Sequence, residues 1–409
     1  MTVASLADLI RPPSRAQIGR AAAIAGPAFA VSVGYVDPGN WATDLAAGRY
    51  AYTLLWAVVL ASLMAMVVQA VVVRLTFATG ESLALTIGRA WPRLRWVSFL
   101  VFQGAVVATD LAEFTGVVVG LRLVFGFDTI VASALGAALI ITLLFLGNRG
   151  LRRIEIALMS FVGIIALAYV YEVHIVGVHL PSLFRGALLP IIPAPGAFAL
   201  VVGIIGATVM PHNLFLHSAF IVERMDRPLW NDKRTGATWF TRETVVALLL
   251  AMLINAAILI VGAVIGGSGS IEQAYRTIAP LAGGAAALVF GVTLICAGLA
   301  ASTTATIAGD VITRDLAPWN IRRWTRRIVT LAPAVALIVA GVDATSLLIW
   351  SQVALALALP LILVPLIVLS SRRDVVGALP LPRTLRGVAI VTALLCVAFD
   401  VALLVQALL

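Results

Sequence analysis

The stretch YVDPGNWATD, Tyr35 to Asp44, sets an acid, a proline, a glycine and an amide in a row. The twenty-odd residues before it are almost free of charge, and a long apolar run follows it. The whole chain of 409 residues is 62% hydrophobic and 11% charged, where an ordinary soluble domain has roughly 25% charged residues. This polar cluster therefore sits in a segment built for lipid, near the middle of what reads as a membrane crossing.

Apolar spans fall near residues 21–50, 52–77, 96–125, 129–147, 155–177, 196–222, 244–267, 280–312, 328–342, 344–369 and 387–408. A membrane-crossing helix needs about 20 apolar residues, so an all-α protein with eleven transmembrane helices is expected. The net charge of +9 supports this reading rather than nucleic-acid binding, because of where the charge lies. Twenty-four of the 28 lysines and arginines fall in the N-terminal segment and in every second connection after it. Arg49, Arg122, Arg185 and Arg276 alone are left for the other face. Cytoplasmic loops carry the excess of Lys and Arg. The N-terminus is therefore expected in the cytoplasm, the C-terminus outside, and the protein in the inner (plasma) membrane. Met1 to Arg20, with Arg11, Arg15 and Arg20, reads as a cytoplasmic tail without a cleavable signal. The two cysteines, Cys296 and Cys396, lie in apolar runs and read as buried small hydrophobes, with no disulfide framework.

A second interruption lies in GIIGATVMPHNLFLHSA, Gly203 to Ala219. Asp37-Pro38-Gly39-Asn40 in span 1 and Met210-Pro211-His212-Asn213 in span 6 both read x-Pro-x-Asn. Such breaks release backbone groups that lipid cannot satisfy, and they persist only where they face protein or a cavity. Each stands in the first helix of a five-helix unit, and an odd number of helices inverts the second unit. Matched interruptions in two halves point to a transporter's midplane site. The expected division is a first repeat over 21–180, a second over 196–370 and an extra helix over 387–408.

The donor types decide what such a site would take. Asp37 and Asn40 are three residues apart and face one cavity if the local geometry is near-helical. An intramembrane carboxylate is by default a functional feature. Across from it, Ala207 offers only its carbonyl, which Pro211 leaves without a backbone partner, and Met210 offers a thioether. Hard ions such as Mg²⁺ and Ca²⁺ prefer all-oxygen shells, whereas a thioether shifts preference toward softer first-row metals. His212 and His217, five apart, do not suit one metal; His212, beside the break, is a proton candidate. In VATDLAEFTG, Asp110 and Glu113 share one face of span 3 and suit either a proton relay or a structural ion pair. Arg326 and Arg327, entering span 9, suit either partners of that pair or positive-inside anchors. Gln352 in span 10 offers one further oxygen, or a structural hydrogen bond. GLAASTTATIAGD in span 8 reads as close helix packing.

These residues together resemble the natural resistance-associated macrophage protein (Nramp) family: DPGN in span 1, GATVMPHN in span 6, ATDLAEF in span 3 and a glutamine in span 10. The resemblance runs from the first span through the eleventh. It implies the five-plus-five inverted-repeat fold of the leucine transporter, with discontinuous helices 1 and 6. It implies proton-coupled import of Mn²⁺ and Fe²⁺ by alternating access, with Co²⁺ and Cd²⁺ also carried. By motif, Asp37, Asn40, the Ala207 carbonyl, Met210 and Gln352 would bind the metal. His212, Glu113, Asp110, Arg326 and Arg327 would form the proton route. The family's magnesium-carrying branch lacks the methionine.

The competing readings are a same-fold Mg²⁺ carrier, a sodium-coupled amino-acid carrier, and a non-transporting metal sensor or membrane enzyme. A carboxylate in the site disfavours an anionic substrate group, and Met210 disfavours magnesium. No nucleotide loop, thiol pair or hydrolase triad is visible, and the longest polar connection, about Glu223 to Glu243, holds no domain-sized insert. The expected partners are divalent metal ions, protons and the lipid bilayer, with no nucleic acid and no cofactor, in a protein that functions as a monomer.

Overall fold

The computed structural model describes residues 26–147, 151–225, 232–266, 270–317 and 321–408. The tail expected over 1–20 lies outside the described residues, as do Arg149 and Arg227 and the side chains of Arg152 and Arg153. Among the described residues every regular element is helical.

The first apolar stretch does not make one helix. Helix α1 (Pro27–Ser32) tightens into a 3₁₀ turn over Val33–Val36, and the chain then extends at Asp37 (φ −88°, ψ 168°). A residue before proline is pushed out of the helical region, and proline suits the first position of a new helix. Asp37 accordingly caps helix α2 (Pro38–Ala47), its side chain accepting from the Asn40 amide. The DPGN sequence is thus a helix stop followed at once by a helix start.

Helix α3 (Leu55–Thr79) is uninterrupted and ends at Gly80 in the left-handed conformation (φ 75°). Its 25 residues are about 37 Å long. After the short α4 (Leu83–Ala90) come α5 (Arg95–Phe125), α6 (Thr129–Gly147), α7 (Leu151–Val176) and α8 (Leu180–Leu188). The sixth apolar stretch repeats the pattern of the first. Helix α9 (Pro195–Val209) stops at Met210 and α10 (Pro211–Met225) starts immediately after. Helices α11 (Lys233–Val264), α12 (Ile271–Ala282), α13 (Gly284–Leu316) and α14 (Arg323–Val339) follow. The tenth stretch, expected as a single run over 344–369, is two helices, α15 (Ala344–Ala358) and α16 (Pro360–Ser371). Leu359 between them keeps helical dihedrals (φ −57°, ψ −48°). Pro360 therefore kinks this helix by removing one donor, where the other two stretches are unwound. The chain ends with α17 (Arg373–Val376) and α18 (Arg383–Leu408).

Seven of the described helical stretches are long and apolar enough to cross a membrane, among them Leu55–Thr79, Pro195–Met225 and Arg383–Gln406. Their burial differs sharply. The apolar window of Pro195–Met225 is 94% buried, that of Arg383–Gln406 only 33%. The broken helices are therefore central and the last helix peripheral. All ten residues of α2 are buried as well. Helices α5 and α13 pack along one another through small residues. A Cβ at Gly298 would lie 2.8 Å from the Glu113 carbonyl, and one at Gly120 2.5 Å from the Ile295 side chain, while one at Gly116 would lie 2.2 Å from the Pro38 ring of α2. Large apolar side chains such as Leu167, Trp350 and Leu394 point outward from the bundle.

Candidate functional site

Two helix breaks meet at the centre of the bundle. Asp37 Oδ1 accepts two hydrogen bonds, from the Asn40 backbone N–H (2.7 Å) and from Asn40 Nδ2 (2.9 Å). Asn40 Nδ2 also faces the Tyr35 carbonyl (3.2 Å) and, from the other break, the Ala207 carbonyl (3.2 Å). The Ala207 oxygen is free to do this because Pro211, four residues on, has no N–H to give it. Asp37 Oδ2 is buried without a hydrogen-bond partner. Asp37, Asn40, Ala207 and Met210 all have 0% exposure, so this orphaned oxygen lies inside the protein among other donor atoms.

Met210 closes α9 with φ 38° and ψ 98°. A side chain other than glycine in this region is strained, and such residues cluster at functional sites. Its sulfur accepts a hydrogen bond from Asn213 Nδ2 at 3.2 Å. Gln352 reaches the site from α15. A Cβ on Gly39 would fall 1.9 Å from Gln352 Nε2, and one on Gly206 2.1 Å from the Gln352 carbonyl oxygen. Two glycines, one on each broken helix, thus let α15 and its glutamine come close. Gln352 Nε2 donates to Ser351 Oγ (3.1 Å), while its Oε1 is a second buried, unpartnered oxygen.

The other titratable candidates lie on α10, α5 and α14. His212 Nδ1 meets Thr109 Oγ1 at 3.0 Å and its Nε2 is buried without a partner. One turn along α5, both oxygens of the buried Glu113 are unpartnered. Asp110, three residues before Glu113, is ion-paired with Arg327, which also donates to Ser302 Oγ. Arg326 is bonded elsewhere, to Asp310 (2.9 Å) and the Thr306 carbonyl (2.5 Å). Adjacent residues on a helix point about 100° apart, so only one of the two arginines meets Asp110. His217 belongs to a different network: its Nδ1 meets Gln69 Oε1 (2.7 Å), and Gln69 Nε2 donates to Tyr35 Oη (2.6 Å).

Sequence reasoning missed several residues of this centre. Asn255 of α11 donates to the Tyr35 carbonyl at 2.9 Å and lies 3.5 Å from Asn40 Oδ1. Thr208 donates to Asn40 Oδ1 at 3.4 Å. Ser302, in a stretch read only as close packing, serves Arg327. The signal available for Asn255 was its isolation as a lone amide in the apolar run AMLINAAIL.

Among the described residues no three His, Cys, Asp or Glu side chains gather as a resident metal cluster. The centre instead offers one carboxylate with neutral oxygens and a thioether, a donor set suited to a divalent cation held reversibly. A family model described as natural resistance-associated macrophage protein-like matches residues 28–406. The chain belongs to the Nramp family. Nramp proteins are transporters, not enzymes, and the ion is their cargo rather than a cofactor. The divalent metal cation transporter MntH of Deinococcus radiodurans is 38% identical over 383 residues, 92% of this chain and 88% of that protein. The Eremococcus coleocola manganese transporter, solved with an aromatic bis-isothiourea compound, superposes with a TM-score of 0.81 at 27% identity, covering 95% of this chain and 87% of that one. MhsT in complex with L-phenylalanine shares the fold alone, at 15% identity and a TM-score of 0.61 over 92% of this chain and 98% of that one.

Proposed function

We propose that this Nramp protein imports divalent transition-metal ions, Mn²⁺ and Fe²⁺ with Co²⁺ and Cd²⁺ also carried, coupled to protons by alternating access. The observation that carries the reading is the convergence at the two facing breaks. Asp37 Oδ2 is buried and unpaired there, next to Asn40, the Ala207 carbonyl and the Met210 break. A buried carboxylate oxygen without a partner is costly, and a cation offsets that cost. Gln352, with its own unpartnered oxygen against Gly39, completes the shell. A single formal charge among neutral donors holds an ion without trapping it, as conduction requires. The names of its relatives, a divalent metal cation transporter and a manganese transporter, support the same cargo.

His212, Glu113, Asp110 and Arg327 form the proton route in this reading, with Arg326 a neighbour held by Asp310. A doubly charged ion arriving at Asp37 raises the cost of a proton on His212, because like charges in a low-dielectric cavity repel strongly. Glu113 and Asp110 then offer carboxylates on one helical face to carry the proton away. The chain crosses the inner membrane eleven times as two inverted five-helix units, 21–180 and 196–370, plus the helix over 387–408. Its N-terminus lies in the cytoplasm, its C-terminus lies outside, and it works as a monomer. The thioether separates this reading from a same-fold magnesium carrier.

The test is Mn²⁺ uptake into proteoliposomes with and without a pH gradient. Uptake that accelerates when the outside is made acidic is expected. Uptake indifferent to the gradient removes the coupling, and no uptake of Mn²⁺ or Fe²⁺ removes the cargo.

A further inference from the structure

Asn213 makes a contact that the ion shell does not itself require. Its Nδ2 donates to Met210 Sδ at 3.2 Å, and its backbone N–H reaches back to the Met210 carbonyl, also at 3.2 Å. Asn213 is fully buried, and its other amide atom, Oδ1, has no partner. A buried amide with one end unsatisfied is a net cost to folding. A leucine of similar volume would fill the same space without it. A residue that breaks a local rule in this way is expected where function requires it, and the one partner its side chain has is the sulfur.

The place where this amide lies is also prepared. A Cβ built on Gly34 would fall 2.3 Å from Asn213 Nδ2, 2.7 Å from Oδ1 and 2.9 Å from Cγ. The Asn213 side chain thus lies flat on the bare backbone of the 3₁₀ turn that precedes Asp37. Any side chain at position 34 would displace it. The two breaks are therefore in contact at a second point, outside the ion shell, and that contact ends on the thioether.

A methionine side chain has three rotatable bonds and is the most adaptable of the apolar residues. Left alone, its sulfur samples several positions. We propose that Asn213 is a positioning residue for Met210: its N–H···S bond fixes one lone pair of the thioether and so aims the other into the site, and Gly34 is what leaves room for it. The inference rests on Met210 being an ion ligand. Its consequence is selective. Soft ions, which draw most on sulfur, depend on the aim of the thioether, while ions held chiefly by Asp37 and the neutral oxygens depend on it less.

The experiment measures Cd²⁺ and Mn²⁺ affinity by calorimetry on purified full-length protein. The variants are Asn213→Leu, Asn213→Ala, Gly34→Ala, Gly34→Ala with Asn213→Ala, and Met210→Ala, each checked for folding by circular dichroism and size exclusion. Loss of one weak hydrogen bond corresponds to a fall of about five- to tenfold. Asn213→Leu should lower Cd²⁺ affinity by that factor and Mn²⁺ affinity by less. Gly34→Ala should do the same by pushing the amide aside, and the double variant should be no worse than the larger single effect. A general packing defect would weaken both ions together, so an unchanged Cd²⁺/Mn²⁺ ratio in folded Asn213→Leu and Gly34→Ala overturns the inference. Met210→Ala separates the two levels. If it leaves Cd²⁺ binding intact, the ligand reading falls and takes the inference with it. If it weakens Cd²⁺ while the Asn213 and Gly34 variants do not, the inference alone falls.

Discussion

At the scale of single residues, Asp37 does two jobs with its two oxygens. Oδ1 caps α2 and orders Asn40, while Oδ2 is unpaired. Asp37→Ala removes the only formal charge of the proposed shell together with a helix cap worth about 1 kcal/mol. Mn²⁺ binding should be abolished in calorimetry while the variant stays folded, and near-wild-type affinity would place the site elsewhere. In the proposed shell Met210 has the complementary role of discrimination. A thioether is a poor substitute for water at Ca²⁺ or Mg²⁺ but an acceptable ligand for Mn²⁺ or Cd²⁺. Mn²⁺ uptake by Met210→Ala should become sensitive to excess Ca²⁺ and Mg²⁺, by about tenfold in relative affinity, or 1.4 kcal/mol. Competition unchanged from wild type would reduce Met210 to packing. The Asp37–Asn40 pair and the freed Ala207 carbonyl are readable from sequence because local rules govern them: a helix cap, a three-residue spacing, a proline four residues on. Asn255, Thr208 and the amide of Asn213 are not, because each acquires its meaning from a contact with a distant segment.

At the scale of elements, α5 carries Asp110 and Glu113, the carboxylates of the candidate site outside the two breaks. On this one helix Thr109 meets His212 of α10 and Asp110 meets Arg327 of α14, while both oxygens of Glu113 are without a partner. Ser302 on α13 holds the far side of the arginine. The ion pair of Asp110 with Arg327 is wholly buried, and breaking such a pair from one side leaves an uncompensated charge. Asp110→Asn and Glu113→Gln should therefore reduce proton flux more than Mn²⁺ binding. Proton uptake followed with a pH dye in proteoliposomes, beside Mn²⁺ titrations of the same preparations, checks this. Full proton flux in both variants would move the relay off α5. Sequence periodicity placed Asp110 and Glu113 on one face but could not choose between Arg326 and Arg327, whose side chains diverge around the helix to Asp310 and Asp110. It also ran the tenth stretch straight through Pro360, because proline alone does not say whether a membrane helix kinks or unwinds.

At the scale of the whole molecule, burial ranks the helices. The broken ones are enclosed, and the last faces outward along much of its length. The expected topology puts the connection containing Lys233 in the cytoplasm and the end near Leu409 outside. Single cysteines introduced at these two places, in a background lacking Cys296 and Cys396, should react with impermeant reagents from opposite sides. Labelling of both from one side would overturn the eleven-crossing arrangement, which rests on where 24 of 28 basic residues fall.

The stop and restart at Asp37 also bears on how the protein is made. During synthesis the first apolar segment reaches the membrane before any of its partners exist. It then offers the bilayer a six-residue helix, a 3₁₀ turn and a carboxylate near its midpoint. A central aspartate opposes insertion by about 2.5–3.5 kcal/mol, and from Gly26 onward the described part of the stretch is divided between Pro27–Ser32 and Pro38–Ala47 rather than forming one long helix. The uninterrupted α3 directly after it is long and apolar enough to cross. We predict that segments one and two enter the bilayer as a hairpin, the second carrying the first. Nascent chains stopped after Tyr50 should integrate poorly in a glycosylation-mapping assay, while those extended through Thr79 and a spacer should integrate both segments. The proposed ion site would thus impose a cost on biogenesis, met by the neighbour that follows it in the chain.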